Sequence, residues 1–260
     1  MNDLVRRAVA VNQAHLALGH EVFAADDAVL VRNRSVPDIR DANHVAHVTA
    51  ATTDEIDRLL ARVEQEFAGI PHRMFNLDPD TPPPLEARLV LDDYERRDQL
   101  IMVLDGMLVG VPRSYDLEPI VDERGWAAYD ALKQLDWMNL RQRLGLAPAG
   151  EVGRRIAQTN RWKSPPVHYW LAYLDGEPRG FCSAWEGLEG VGQVEDVFVH
   201  PDARHRGMAT ALIHACVRDC RQRGADAVII VPDATDTPKQ MYAAMGFRPI
   251  ALKREYWRAV

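Results

Sequence analysis

The sequence predicts an α/β fold of the α+β kind, in which strands and helices alternate and hairpins join the strands of the second half. Three observations carry this. Residues 194–199, VEDVFV, are mostly β-branched or aromatic, whereas Ala, Leu and Ile recur at helical spacing from Met208 onward, so this stretch reads strand, loop, helix. DGEP, inside HYWLAYLDGEPRGFCSAW, is a hairpin turn between two apolar runs. The first half, finally, alternates short apolar runs with helical patterns.

Taken in order, the chain opens with an amphipathic helix, followed by AVLVRN and DANHVAHV as strands. Thr52 with Glu55 makes a capping box ahead of Ile56, Leu59, Leu60, Val63 and Phe67, a helical stripe. HRMFNL is a short strand, and DPDTPPP is a loop because consecutive prolines supply no N–H donors. LEARLVLDDYERR reads as a helix and QLIMVL as a strand. Residues 110–115 form a connector. LEPIV then reads as a strand and residues 124–144 as one long helix with Trp126, Leu132, Leu135 and Leu140 on its apolar side. A second helix covers 151–160, and EGLEGVG turns the second hairpin. Its glycines Gly187, Gly190 and Gly192 do not open a helix, so they are no dinucleotide fingerprint. A helix at 208–223, the strand AVIIV, a helix at 238–245 and a strand near RPIALKREYWR complete the chain.

The 260 residues suffice for one large domain or two small ones. No run of about 18 apolar residues occurs, and the amphipathic N-terminus lacks the pattern of a secretory signal, which points to a cytoplasmic protein without a membrane span. Cys182, Cys216 and Cys220 have neither disulfide nor metal-site spacing and read as buried thiols; no metal is expected. The net charge of −7 is unevenly placed. Residues 1–111 hold 11 Arg, no Lys and 19 acids, against 20 basic and 19 acidic residues in 112–260. Without a basic stripe the balance argues against nucleic acid as a partner.

The chemistry concentrates at Arg204-His205-Arg206-Gly207-Met208-Ala209. A basic, glycine-containing loop at a helix start offers unpaired N–H groups and the positive dipole end to an anion. With EDVFVHP before it and MYAAMGF after it, the RxxGxA loop resembles that of the GNAT superfamily of N-acetyltransferases, as does the element order over 115–260. The resemblance implies a GNAT-type mixed, mostly antiparallel central sheet flanked by helices, and acetyl-CoA as cosubstrate. It places the pyrophosphate on the backbone from Arg206 to Thr210, with Arg204 and Arg206 adding charge and His205 a further candidate contact to phosphate. It sets the pantetheine arm against main-chain groups of Val197, Phe198 and Val199. Thr235 stands where the family often has an Asn that bonds this arm.

Acetyl transfer to an amine needs the amine neutral and the leaving thiolate protonated. By strand alternation Glu195 shares a face with Val197 and Val199, and its position matches the carboxylate that some members of the family use as base, directly or through water; Asp196 falls on the opposite face. Tyr242, in YxxxGF, matches the residue that donates a proton or hydrogen bond to the CoA sulfur in the family. The plainer alternatives are a structural carboxylate and a core tyrosine. Residues 1–111 repeat the strand and helix order and resemble a degenerate GNAT-like module, but TAAT replaces the loop, with neither glycine nor arginine. The expected organisation is therefore a degenerate module at 1–111 and an N-acetyltransferase domain at 112–260. The acceptor is a small-molecule or other exposed primary amine, and the protein is a monomer or homodimer. A non-catalytic acyl-CoA-binding or regulatory protein is the alternative. The Asn43-His44 pair is a polar insertion in a strand, explained by structural hydrogen bonds.

Overall fold

The computed structural model describes residues 2–25, 27–147 and 150–260. In chain order the elements are α1 (Asp3–Ala17), β1 (Glu21–Ala25), β2 (Ala28–Arg32), β3 (His44–Ala46), α2 (Thr53–Glu66), β4 (His72–Leu77), α3 (Pro83–Leu91) and β5 (Glu95–Leu104). There follow β6 (Asp116–Pro119), α4 (Glu123–Arg143), α5 (Val152–Trp162), β7 (His168–Leu174), β8 (Glu177–Leu188) and β9 (Val191–Val199). The chain ends with α6 (Met208–Gln222), β10 (Ala227–Ile230), α7 (Pro238–Ala244) and β11 (Arg248–Ala259). The predicted mixture of strands and helices is present. Two segments differ from expectation. Glu95, Arg96 and Arg97 extend β5 instead of ending a helix, because α3 stops at Leu91. EVFAA forms β1, an additional strand that is mostly exposed and so shows little apolar periodicity.

The chain folds into two compact units. The first comprises residues 1–102, 231–240 and 249–260, and the second 103–230 and 241–248. The first unit thus takes in two segments from near the C-terminus. There β11 pairs antiparallel with β4, from Arg254 opposite Leu77 to Ala259 opposite His72.

In the first unit the strand order is β1-β2-β3-β4-β11-β5. Leu30, Val45, Phe75, Leu77 and Tyr256 of the sheet form a buried core with Ile56, Leu59, Val63 and Phe67 from α2 and its C-cap, and with Leu85 and Leu89 of α3. The predicted capping box is present: Thr52 Oγ1 accepts from the Glu55 N–H, and the Glu55 carboxylate accepts from the Thr52 N–H. Asn43 is fully bonded, as expected. Its Oδ1 accepts from the Asn33 N–H at 2.8 Å, and its Nδ2 donates to the carbonyls of Val36 and Ile39, each at 3.0 Å.

In the second unit the order is β10-β9-β8-β7-β6. The strands β6 to β9 pair antiparallel in succession, and β10 joins β9 in parallel. Aromatic rings link α4 to the sheet, with Tyr129 against Tyr169 and Phe181, and Phe181 stacked on Phe198 at 5.3 Å. The buried face of α4 is Trp126, Tyr129, Leu132 and Lys133 rather than the stripe that continued to Leu135 and Leu140. A lysine on that face needs a partner, which β9 supplies.

Candidate active site

Three features of the second unit meet around the end of β9. The first is an opening between strands. The parallel ladder holds only Val191, Gly192 and Gln193 against Ala227, Val228 and Ile229. β9 continues to Val199 with β8 on one side and no β10 partner on the other. Its main-chain groups over 194–199 on that side are therefore not taken up by the sheet.

The second feature is the loop into α6. Gly207 is the N-cap and adopts φ 88° and ψ 7°, a left-handed conformation that glycine takes without a Cβ penalty. No side chain caps the helix, and the first intrahelical bond runs from the Ala211 N–H to the Gly207 carbonyl. The N–H groups of Met208, Ala209 and Thr210 thus point out of the helix end, where the dipole is positive. His205 is also left-handed, at φ 60°, and exposed. Arg204 turns back, donating from Nε to the Val199 carbonyl at 3.1 Å, so it fastens the loop to the strand rather than facing outward. Two connector residues that the sequence reading passed over also belong here. Tyr115 Oη donates to the Arg206 carbonyl at 2.7 Å, and the Arg113 side chain lies 3.5 Å from where a Cβ on Gly207 would stand.

The third feature is a break in strand alternation, which corrects the predicted faces. The β8–β9 register pairs Ser183 with Glu195 but Phe181 with Phe198, so β9 carries an extra residue between them, and Asp196 has φ 60°. Such a bulge re-aims every side chain that follows it. Val199 pairs with Gly180, which packs against Met208 and Leu212 of α6, whereas Phe198 faces α4 through Phe181. Glu195 lies on the face of its cross-strand partners Ser183 and Tyr169, and Tyr169 touches Tyr129 of α4. Glu195 therefore does not share the face of Val197 and Val199. Asp196 is not turned away from α4 either.

Asp196 is instead the centre of a network. Tyr129 Oη and Asn160 Nδ2 donate to its Oδ2, and Lys133 Nζ donates to its Oδ1. Asn160 also donates to Tyr129 Oη at 2.7 Å, and Lys133 to Asp136 at 3.1 Å. Burial and then the Asp196 charge hold the Tyr129 phenol well above its ordinary pKa. Burial works against the Lys133 charge, but Asp196 and Asp136 outweigh it and raise its pKa. Both donors are thereby kept protonated. The Glu195 carboxylate accepts from Gln193 Nε2 at 2.8 Å.

Tyr242 lies on α7 in the same unit, buried, with its ring 6.3 Å from Phe247. Thr235 belongs to the first unit, where its N–H and hydroxyl donate to Asp233 Oδ1 at 2.7 and 2.6 Å. The three cysteines are free and buried.

Residues 129–247 match the model of the acetyltransferase (GNAT) family. Among curated proteins the chain is similar to the mycothiol acetyltransferase of Beutenbergia cavernae, 28% identical over 105 residues, which is 39% of this chain and 35% of that protein. Against the mycothiol acetyltransferase of Clavibacter sepedonicus it is 31% identical over 134 residues, 48% of this chain and 42% of that protein. The alignments thus span less than half the length of these relatives. Among solved structures, a GCN5-related N-acetyltransferase from Kribbella flavida superposes with a TM-score of 0.71 at 16% identity, covering 99% of this chain and 96% of that one. A tandem GNAT protein from the clavulanic acid biosynthesis pathway gives 0.57 at 15% identity, covering 99% and 96%. At these identities the likeness is one of fold. The strand with its bulge, the uncapped helix and the YxxxGF segment all fall within residues 129–247, the region that matches the GNAT acetyltransferase family.

Proposed function

We propose that this protein transfers an acetyl group from acetyl-CoA to a primary amine, at one site in its second unit. The observation that carries the reading is the uncapped start of α6 beside the unpaired length of β9. One suits a pyrophosphate, and the other suits an extended amide-bearing chain that adds to a sheet edge.

The backbone N–H groups of Met208, Ala209 and Thr210 would hold the pyrophosphate, with Arg206 alongside, and main-chain groups of Val197 and Val199 would bond the pantetheine arm. Glu195 takes the proton of the acceptor ammonium, directly or through water. The neutral nitrogen then attacks the thioester carbonyl, the carbon–sulfur bond breaks, Tyr242 gives its proton to the departing sulfur, and the surplus proton on the new amide nitrogen returns to the Tyr242 oxygen through water. Asp196 is poorly suited to be the base because each of its oxygens already accepts a bond from a donor of the unit. It fixes the bulge next to Glu195. The names of the curated relatives support acetyl transfer as the reaction class, and the acceptor is proposed only as a primary amine.

The test is release of free thiol from acetyl-CoA with a panel of primary amines, with the product weighed by mass spectrometry. An acetylated amine that forms only with enzyme is the expected result. Tight acetyl-CoA binding without acetylated product from any amine would mark an acyl-CoA-binding protein instead.

A further inference from the structure

Gln193 is the last residue of β9 that the sheet holds from both sides. It pairs with Trp185 of β8 and with Ile229 of β10, and beyond it the strand keeps a partner on one side only. Glu195 stands two residues on, on the same face, because the bulge comes after it. From its fixed backbone the Gln193 amide reaches along the strand, and Nε2 donates to Glu195 Oε2 at 2.8 Å. The Glu195 main chain is tied as well, its carbonyl accepting from the Ser183 hydroxyl at 3.1 Å. Gln193 is 1% exposed, whereas Glu195 is half-buried. The far end of the amide differs from the near one. Gln193 Oε1 is buried with no hydrogen-bond partner among the described residues. An amide placed for stability alone has both ends bonded, because an unmade bond in a dry interior costs free energy. Here one end goes without so that the other can face the carboxylate, which accepts only from the NH2 end.

Resting on the acetyl-transfer reading above, in which Glu195 is the base, we propose that Gln193 is the positioning residue for that base. Its bond to Oε2 holds the carboxylate in one orientation, favours the ionised form that can accept a proton, and leaves Oε1 to receive it from the acceptor. The other ionisable groups on this face are engaged differently. Burial and then the charges of Asp196 and Glu195 keep the Tyr169 phenol of β7 protonated. Asp196 is bonded to Tyr129 and Lys133 of α4, and Lys133 to Asp136. Glu186 of β8 turns to Arg223 of α6, and β10 carries no ionisable residue.

The test uses the full chain and Gln193→Met, which keeps the length and bulk of the side chain but not its amide. Because the unbonded Oε1 goes too, the urea midpoint should match or exceed that of the wild type. The first readout needs no acceptor: NMR titration of protein carrying 13C at the glutamate carboxyl carbons, with the Glu195 signal assigned by its loss in Glu195→Gln. Its midpoint should rise by about one pH unit in Gln193→Met. The second is kcat/KM for the amines acetylated in the panel above. It should fall roughly 10-fold in Gln193→Met, yet the same substitution should change little in a Glu195→Gln background, because its effect passes through Glu195. An unmoved Glu195 titration, or an equal loss of rate in both backgrounds, would overturn the assignment and leave the acetyl-transfer reading standing. A wild type that acetylates no amine would remove that reading and the proposal with it.

Discussion

Glu195 and Asp196 are neighbours with different tasks, and the difference comes from their surroundings. Asp196 is held by donors from α4 and α5, whereas Glu195 has a side-chain amide of its own strand on one oxygen. If Glu195 is the base, Glu195→Gln should lower kcat/KM by roughly 10²-fold, and the loss should shrink as rising pH deprotonates the amine unaided. A pH–rate profile that matches the wild type in shape and height would assign the proton transfer elsewhere. Lys133 belongs to the same scale. Its removal leaves Asp196 buried with neutral donors only, so Lys133→Met should cost about 3 kcal/mol in urea unfolding. The double variant Lys133→Met, Asp196→Asn should recover part of that, because the unpaired charge at position 196 is removed as well. Equal stability of Lys133→Met and wild type would show that the ion pair contributes nothing net.

At the scale of elements, the sequence shows what depends on local chemistry. The Thr52 and Glu55 box, the DGEP hairpin and the start of α6 at Met208 are written in residues close along the chain, and each is present. The bulge is not written locally. It rests on bonds from Asp196 to Tyr129, Lys133 and Asn160, which lie 67, 63 and 36 residues away, so alternation alone assigned the faces wrongly. Lys133 gave the one signal, a lysine between apolar positions of a long helix. Likewise β1 went unseen because only Ala25 of its five residues is buried, and strand patterning is legible only where a face is covered. β3 carries a titration that the sequence also did not announce. His44 is fully buried, with Nδ1 on the Asp41 carbonyl, and burial followed by the nearby Lys253 charge pushes its pKa down to about 3. The unfolded chain takes up a proton near the ordinary value of 6.5 that the folded state refuses. Stability should therefore fall as pH drops from about 6.5 towards 3, by about 1.4 kcal/mol per unit from this group. His72 shifts in the same direction, so the check is the difference between wild type and His44→Gln in urea unfolding across that range. Parallel pH dependences in the two proteins would contradict it.

For the whole molecule, two helices that follow strands in the same order have opposite beginnings. α2 starts with its first-turn N–H taken by Thr52 and with Asp54 and Glu55 in that turn, which repels an anion. α6 starts with a left-handed glycine, no cap and arginines before it. One chain should therefore hold one cofactor. Calorimetric titration of acetyl-CoA into the wild type and into Gly207→Asp tests this most directly. Aspartate tolerates a left-handed backbone better than most residues but sets a negative charge at the helix start. The account predicts a stoichiometry of about one in the wild type and an affinity reduced by roughly 10-fold or more in the variant. Two equivalent sites, or undiminished binding by Gly207→Asp, would contradict it.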